Sequence, residues 1–183
     1  MRLVVFIALV FISSISAGLY GVLYDQLSYS ISPEFFERLR FPADGYHLAD
    51  TVHPRLKAAY AGWTHTWGVG FILGGILAIA GLIHHNIRRM FSVTLIAFFI
   101  SLAMALVFGM VGLYMGGTAN GGDDVYLALP PDLKDPRHFM MVQNMQNFSY
   151  VGALVGIFIG LLYQLYIRNK DKKFHQHHHK DEL

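Results

Sequence analysis

Cysteine is absent from the 183 residues, which removes disulfides, thiol nucleophiles, iron-sulfur clusters and cysteine-bound zinc from consideration. Charge is scarce as well: Asp, Glu, Lys and Arg make up 14% of the chain, against 54% hydrophobic residues and a mean hydropathy of +0.41. Soluble domains carry about 25% charged residues, so lipid rather than water is the expected solvent. The net charge of +2 and pI near 8.8 reflect short basic segments beside apolar runs, and no nucleic-acid partner is expected. Neither an internal repeat nor a catalytic motif is present.

The scarcity of charge is uneven. Leu3 to Tyr24, Ala61 to Ile83, Phe91 to Met115 and Phe148 to Ile167 contain no Asp, Glu, Lys or Arg at all. A helix needs about 20 apolar residues to cross a hydrocarbon core roughly 30 Å thick. A soluble bundle would instead show charge on each outward helix face. The expected fold is therefore all-α, a transmembrane four-helix bundle forming one domain over residues 1–168, followed by a polar, His-rich tail over 169–183.

Orientation follows from where Lys and Arg fall, since short cytoplasmic connections retain them. Arg2, Arg88, Arg89, Arg168, Lys170, Lys172, Lys173 and Lys180 flank one side of the runs, eight of the 14 in the chain. The two longer connections, 25–60 and 116–147, hold the remaining basic residues with most of the acidic ones. Both termini are thus expected in the cytoplasm and both long connections outside. Arg2, the apolar stretch and the small residues Ser16, Ala17 and Gly18 also resemble a cleavable secretory signal. The stretch to Tyr24 exceeds the roughly 7 to 15 apolar residues of such a signal. The closing Lys180, Asp181, Glu182 and Leu183 spell an ER-retention signal, which is read from the lumen and so conflicts with a cytoplasmic tail.

Apolar side chains gain little by leaving lipid for protein, so membrane helices associate where small residues let backbones approach. Gly70, Gly74 and Ala78 fall four apart, as do Gly152, Gly156 and Gly160, and Gly112 and Gly116; Ser13, Ala17 and Gly21 share a face of the first helix. These are the expected packing stripes. His53 before Pro54 and Asp135 before Pro136 place two helix starts well ahead of their apolar runs. Ser32, Pro33 and Glu34 open a short segment whose Phe35, Phe36 and Leu39 are expected on the membrane surface. Tyr60, Trp63 and Trp67 suit an interfacial aromatic belt, and Gly116 to Gly122 with Asp123 and Asp124 reads as a flexible loop.

Polar residues at membrane depth are costly unless paired, and they gather at one end. Asp25, Gln26, Glu34, His65, Asn144 and Asn147 form the candidate site, with Gln143 and Gln146 nearby; Asn144 and Asn147, three apart, share a helix face. Two readings stand. The cluster is either a hydrogen-bonded cap tying helix ends together, or a site in which Asp25, Glu34 and His65 hold a divalent metal or handle protons. Bis-histidine haem needs two inward-facing His on different helices, and His65 alone lies within a run; haem is not expected. His84 and His85 beside Arg88 and Arg89 read as solvated, and His175, His177, His178 and His179 form a tract of metal-binding composition. Asn147, Phe148 and Ser149 match the glycosylation pattern, but at the membrane edge.

Tyr24, Asp25 and Gln26, then Ile31, Ser32, Pro33, Glu34, Phe35 and Phe36, resemble a family of small uncharacterised bacterial four-span membrane proteins. Asn147, Phe148, Ser149 and Tyr150 with Gly152 and Gly156 are similar to that family's last helix, and the tryptophan-rich start of the second run also fits. The resemblance implies a bacterial inner-membrane setting and brings no activity. Tyr24 and Gln146 stand where the family pattern has His, which weakens a metal site. The leading expectation is a non-enzymatic protein that acts by binding or assembly, as a homo-oligomer or a subunit of a larger membrane complex. The alternative is a metal- or cofactor-binding redox or transport protein with a polar site at the outer face.

Overall fold

The computed structural model describes residues 1–43, 51–118, 129–130 and 132–180, with side chains described to residue 172. Among these the chain is all helical. α1 spans Arg2–Ile31, α2 Pro33–Phe35, a π-helical turn Phe36–Arg40, α3 Phe41–Ala43, α4 Pro54–Gly81, α5 Ile87–Thr118 and α6 Pro136–Lys180. Four helices, α1, α4, α5 and α6, are long and apolar enough to cross a membrane, and they pack against one another. All four outrun their apolar runs at one or both ends. α1 continues seven residues past Tyr24, and α5 carries Gly116 and Gly117 as helix rather than loop. Asp123, Asp124 and Asp181 to Leu183 lie outside the described residues, as do the side chains of His175 to His179.

Helix starts are fixed by local chemistry. The first amides of a helix lack intrahelical acceptors. His53 Nδ1 takes the Arg55 amide at 3.2 Å, Asp135 Oδ1 takes the His138 amide at 3.0 Å, and Asn86 Oδ1 takes the Arg88 amide at 2.9 Å. Ser32 Oγ accepts from the Phe35 amide at 3.3 Å. Pro54, Pro33 and Pro136 occupy first positions, where a missing N–H costs nothing.

The helices form two antiparallel pairs, α1 with α4 and α5 with α6, joined by the tight turn 82–86. A Cβ on Gly62 would fall on the Gly21 carbonyl, and one on Gly70 or Gly74 would fall on Ser13 or Ala17. In the second pair a Cβ on Gly112 would lie 2.5 Å from Asn144 O and one on Gly156 2.5 Å from Ser101 Cα, with Gly152 meeting Met104 O and Gly160 Ala97 O at 3.0 Å. Large side chains turn outward instead: Leu3, Val4, Leu23, Ile72, Ile79, Leu154 and Phe158 are each more than 60% exposed. A soluble protein does the reverse. At one end of the bundle lie the α4–α5 turn and the start of α1 (the turn end); at the other lie the long connections (the loop end). The turn end is clamped by Arg2 donating to the His85 carbonyl at 2.6 Å and by Arg89 paired with Asp171 at 2.6 Å.

Phe35 and Phe36 differ from the sequence expectation. They are 4% and 0% exposed and pack with Tyr29, Ala58, Phe139 and Val142 in a core at the loop end. The reason is geometric. Because α1, α4 and α6 all project past their apolar runs, they build a protein-lined recess that receives both rings, and only Leu39, 37% exposed, stays outside.

Candidate functional site

The loop end holds a buried polar network built from three elements. α1 contributes Tyr24, Asp25 and Ser28, all buried; α6 contributes Met145 and Gln146; the π-helical turn contributes Arg40. Gln146 Nε2 donates to Asp25 Oδ1 at 2.8 Å and to Ser28 Oγ at 3.3 Å. Arg40 stands 3.8 Å from the other Asp25 oxygen, the two side chains being 13% and 3% exposed. Tyr24, stacked on Tyr20 at 5.3 Å, donates its hydroxyl to the Met145 carbonyl at 2.8 Å, and Ser28 Oγ donates to Tyr24 O. A carboxylate in so dry a setting is tolerated only when paired and hydrogen-bonded, and both conditions are met. Arg40 is the last residue of the π-helical turn.

The other predicted residues are distributed around this network rather than inside it. Gln26 belongs to the α1–α4 seam, donating to the Arg55 carbonyl at 2.7 Å while the Arg55 guanidinium donates to Ser30 at 3.1 Å and covers the Tyr29 ring at 5.4 Å. Glu34 receives the backbone amides of Lys134 and Asp135 at 2.7 and 2.9 Å. His65 is half-buried on α4, Asn144 is half-buried, and Asn147 faces outward. Among the described residues no group of three or more His, Asp or Glu stands where it could hold a metal ion, so Asp25, Glu34 and His65 are not brought together as one ligand set. Arg40, Ser28 and Gln146 are the residues that sequence reasoning placed least well. Gln146 was visible as one of four amides ahead of the last run; nothing local marks Arg40.

Glu34 ties the segment before α6 to the start of α2. The two amides hold its carboxyl below the usual carboxylate value of 4.5, and the His138 amide does the same for Asp135 relative to 3.8. A carboxyl lowered in the folded state contributes stability that is complete above its ordinary value and disappears as pH falls through the folded value. Backbone exchange at Lys134, Asp135 and His138 is therefore expected to be slow at neutral pH and to accelerate several-fold once the pH drops below the carboxylate range, beyond the intrinsic pH effect. Glu34→Gln, which can satisfy one amide well but not two charge-assisted bonds, should speed Lys134 and Asp135 at neutral pH and leave His138 slow. Hydrogen-deuterium exchange read by mass spectrometry decides this; unchanged Lys134 and Asp135 exchange in the variant would refute the tie.

Compared with known protein families, curated proteins and solved structures, the chain matches none of them.

Proposed function

We propose that this integral membrane protein acts by binding or assembly and not by catalysis, either as a self-associating bundle or as a small subunit of a larger membrane complex. One observation carries the reading: among the described residues, three carboxylates of the loop end are engaged by the chain itself. Asp25 is engaged by Gln146 and Arg40, Glu34 by two backbone amides, and Asp135 by His138. What the molecule offers its surroundings is apolar helix surface. Most span glycines are taken up in the two internal seams, whereas Gly68 and Gly75 on α4, seven apart and so on one face, would each carry a Cβ with nothing within 4 Å.

Assembly is tested by blue-native electrophoresis of the untagged protein in mild detergent. The expected result is a species larger than the monomer that Gly68→Leu with Gly75→Leu reduces. A lone monomer at every concentration counts against the reading. The distribution of Lys and Arg supports both termini in the cytoplasm, and the resemblance supports a bacterial inner membrane. Because the chain lacks cysteine, single cysteines at the exposed positions Lys134 and Lys170 report orientation. The first should label from outside and the second from inside; labelling from one side only would overturn the four-span topology.

A further inference from the structure

The turn end contains a second group of buried polar atoms, separate from the Asp25 network. Gln164 on α6 is 0% exposed and its Nε2 donates to the Leu77 carbonyl of α4 at 3.0 Å. A carbonyl can only accept, so this bond fixes the orientation of the amide and makes Oε1 the free acceptor. Oε1 points to where Gly81 of α4 meets Thr94 of α5: a Cβ on Gly81 would stand 3.6 Å from Oε1 and directly against Thr94 Oγ1. Thr94 is 1% exposed. Neither Gln164 Oε1 nor Thr94 Oγ1 has a hydrogen-bond partner among the described residues, and neither has His84 Nε2. His84, 4% exposed, lies in the turn just past α4, its amide donating to Gly81 O at 3.1 Å.

Orphaned buried polar atoms are rare because each forfeits its hydration. Two of them beside one glycine at one end of a bundle mark a place where something other than protein completes the bonds. The donor set defines the guest. Oε1 accepts only, so the guest must donate. Thr94 supplies a hydroxyl that accepts or donates, and neither side chain is charged, which suits a neutral molecule and not an ion. We propose that Thr94 and Gln164 hold a resident water molecule inside the bundle, bridging Thr94 Oγ1 on α5 to Gln164 Oε1 on α6. Internal waters of this kind bridge otherwise unsatisfied groups and persist as part of the structure.

X-ray hydroxyl-radical footprinting of the full chain in nanodiscs tests the proposal, because radicals formed at a bound water oxidise neighbouring side chains that bulk solvent never reaches. Phe98, one turn from Thr94, and Leu77 are 1% and 0% exposed and share one cluster. Both should be oxidised in the wild-type protein, and Thr94→Val with Gln164→Leu should lose that labelling. Thr94→Val alone, nearly the same shape and leaving the bond from Gln164 to Leu77 in place, should lose it too and serves if the double variant fails to fold. Unlabelled Phe98 and Leu77 in the wild type, or equal labelling in the wild type and in whichever of these variants folds, would overturn the proposal.

Discussion

Replacing Gly62 with leucine is expected to collapse the pairing of α1 with α4, while leucine at Gly68, on the same helix, is expected to leave that pairing intact. A Cβ on Gly62 would fall on the Gly21 carbonyl oxygen, 2.6 Å from Gly21 C and 3.0 Å from Val22 N. These are backbone atoms of a continuous helix and have no rotamer to escape into. α1 must retreat as a body, which loosens the whole seam, including the bond from Ser14 to the Trp67 carbonyl at 2.8 Å. Overpacking that side chains can absorb costs about 1–3 kcal/mol; here the obstacle is main chain, so the upper end applies. For a chain of this size about 3 kcal/mol lowers the melting temperature by roughly 6 to 12 °C. Gly68 has nothing within 4 Å of its Cβ position, so the two variants have the same composition and hydropathy and differ only in what the new side chain meets. Thermal unfolding followed by size-exclusion chromatography is the measurement. Equal melting of the two variants would show that the seam does not depend on this approach.

The contrast also shows which parts of the architecture a sequence reveals. Bilayer thickness sets the length of an uncharged run, so the four helices were legible from Leu3, Ala61, Phe91 and Phe148 onward, and the His53–Pro54 and Asp135–Pro136 starts coincide with those of α4 and α6. Which polar residues at the helix ends point inward was not. In water, polarity marks the outward face; in lipid, inside and outside are both apolar, and the α-helical period no longer says which residue points in. Asn147 and Gln146 are neighbours about 100° apart on the helix, yet Gln146 is 7% exposed and bonded to Asp25 while Asn147 faces outward. Arg40 was hidden for a different reason. It reaches Asp25 only because Phe35 and Phe36 sink into the recess and the π turn follows them. That is a long-range packing outcome with no local pattern.

Asp25 variants are expected to show the second large effect, and their ranking separates a structural network from a binding site. Asp25→Ala removes the acceptor of Gln146 and the carboxylate facing Arg40 together, at positions 2% and 13% exposed. Breaking one side of a buried ion pair costs about 3–5 kcal/mol, because the other charge stays in the dry interior. Asp25→Asn keeps an oxygen for Gln146 Nε2 at the 2.8 Å position and loses only the charge, so it should fall between wild type and alanine. Replacing both charges with apolar groups of similar volume, Asp25→Leu with Arg40→Met, removes the penalty along with the attraction. Such exchanges are often neutral or stabilising, so the double variant should recover most of what the alanine variant loses. His65→Ala, half-buried on α4, should fold normally. Melting temperatures and the yield of folded protein, measured side by side, test the order. If Asp25→Ala instead accumulates and melts like the wild type, the network is not what holds the loop end together.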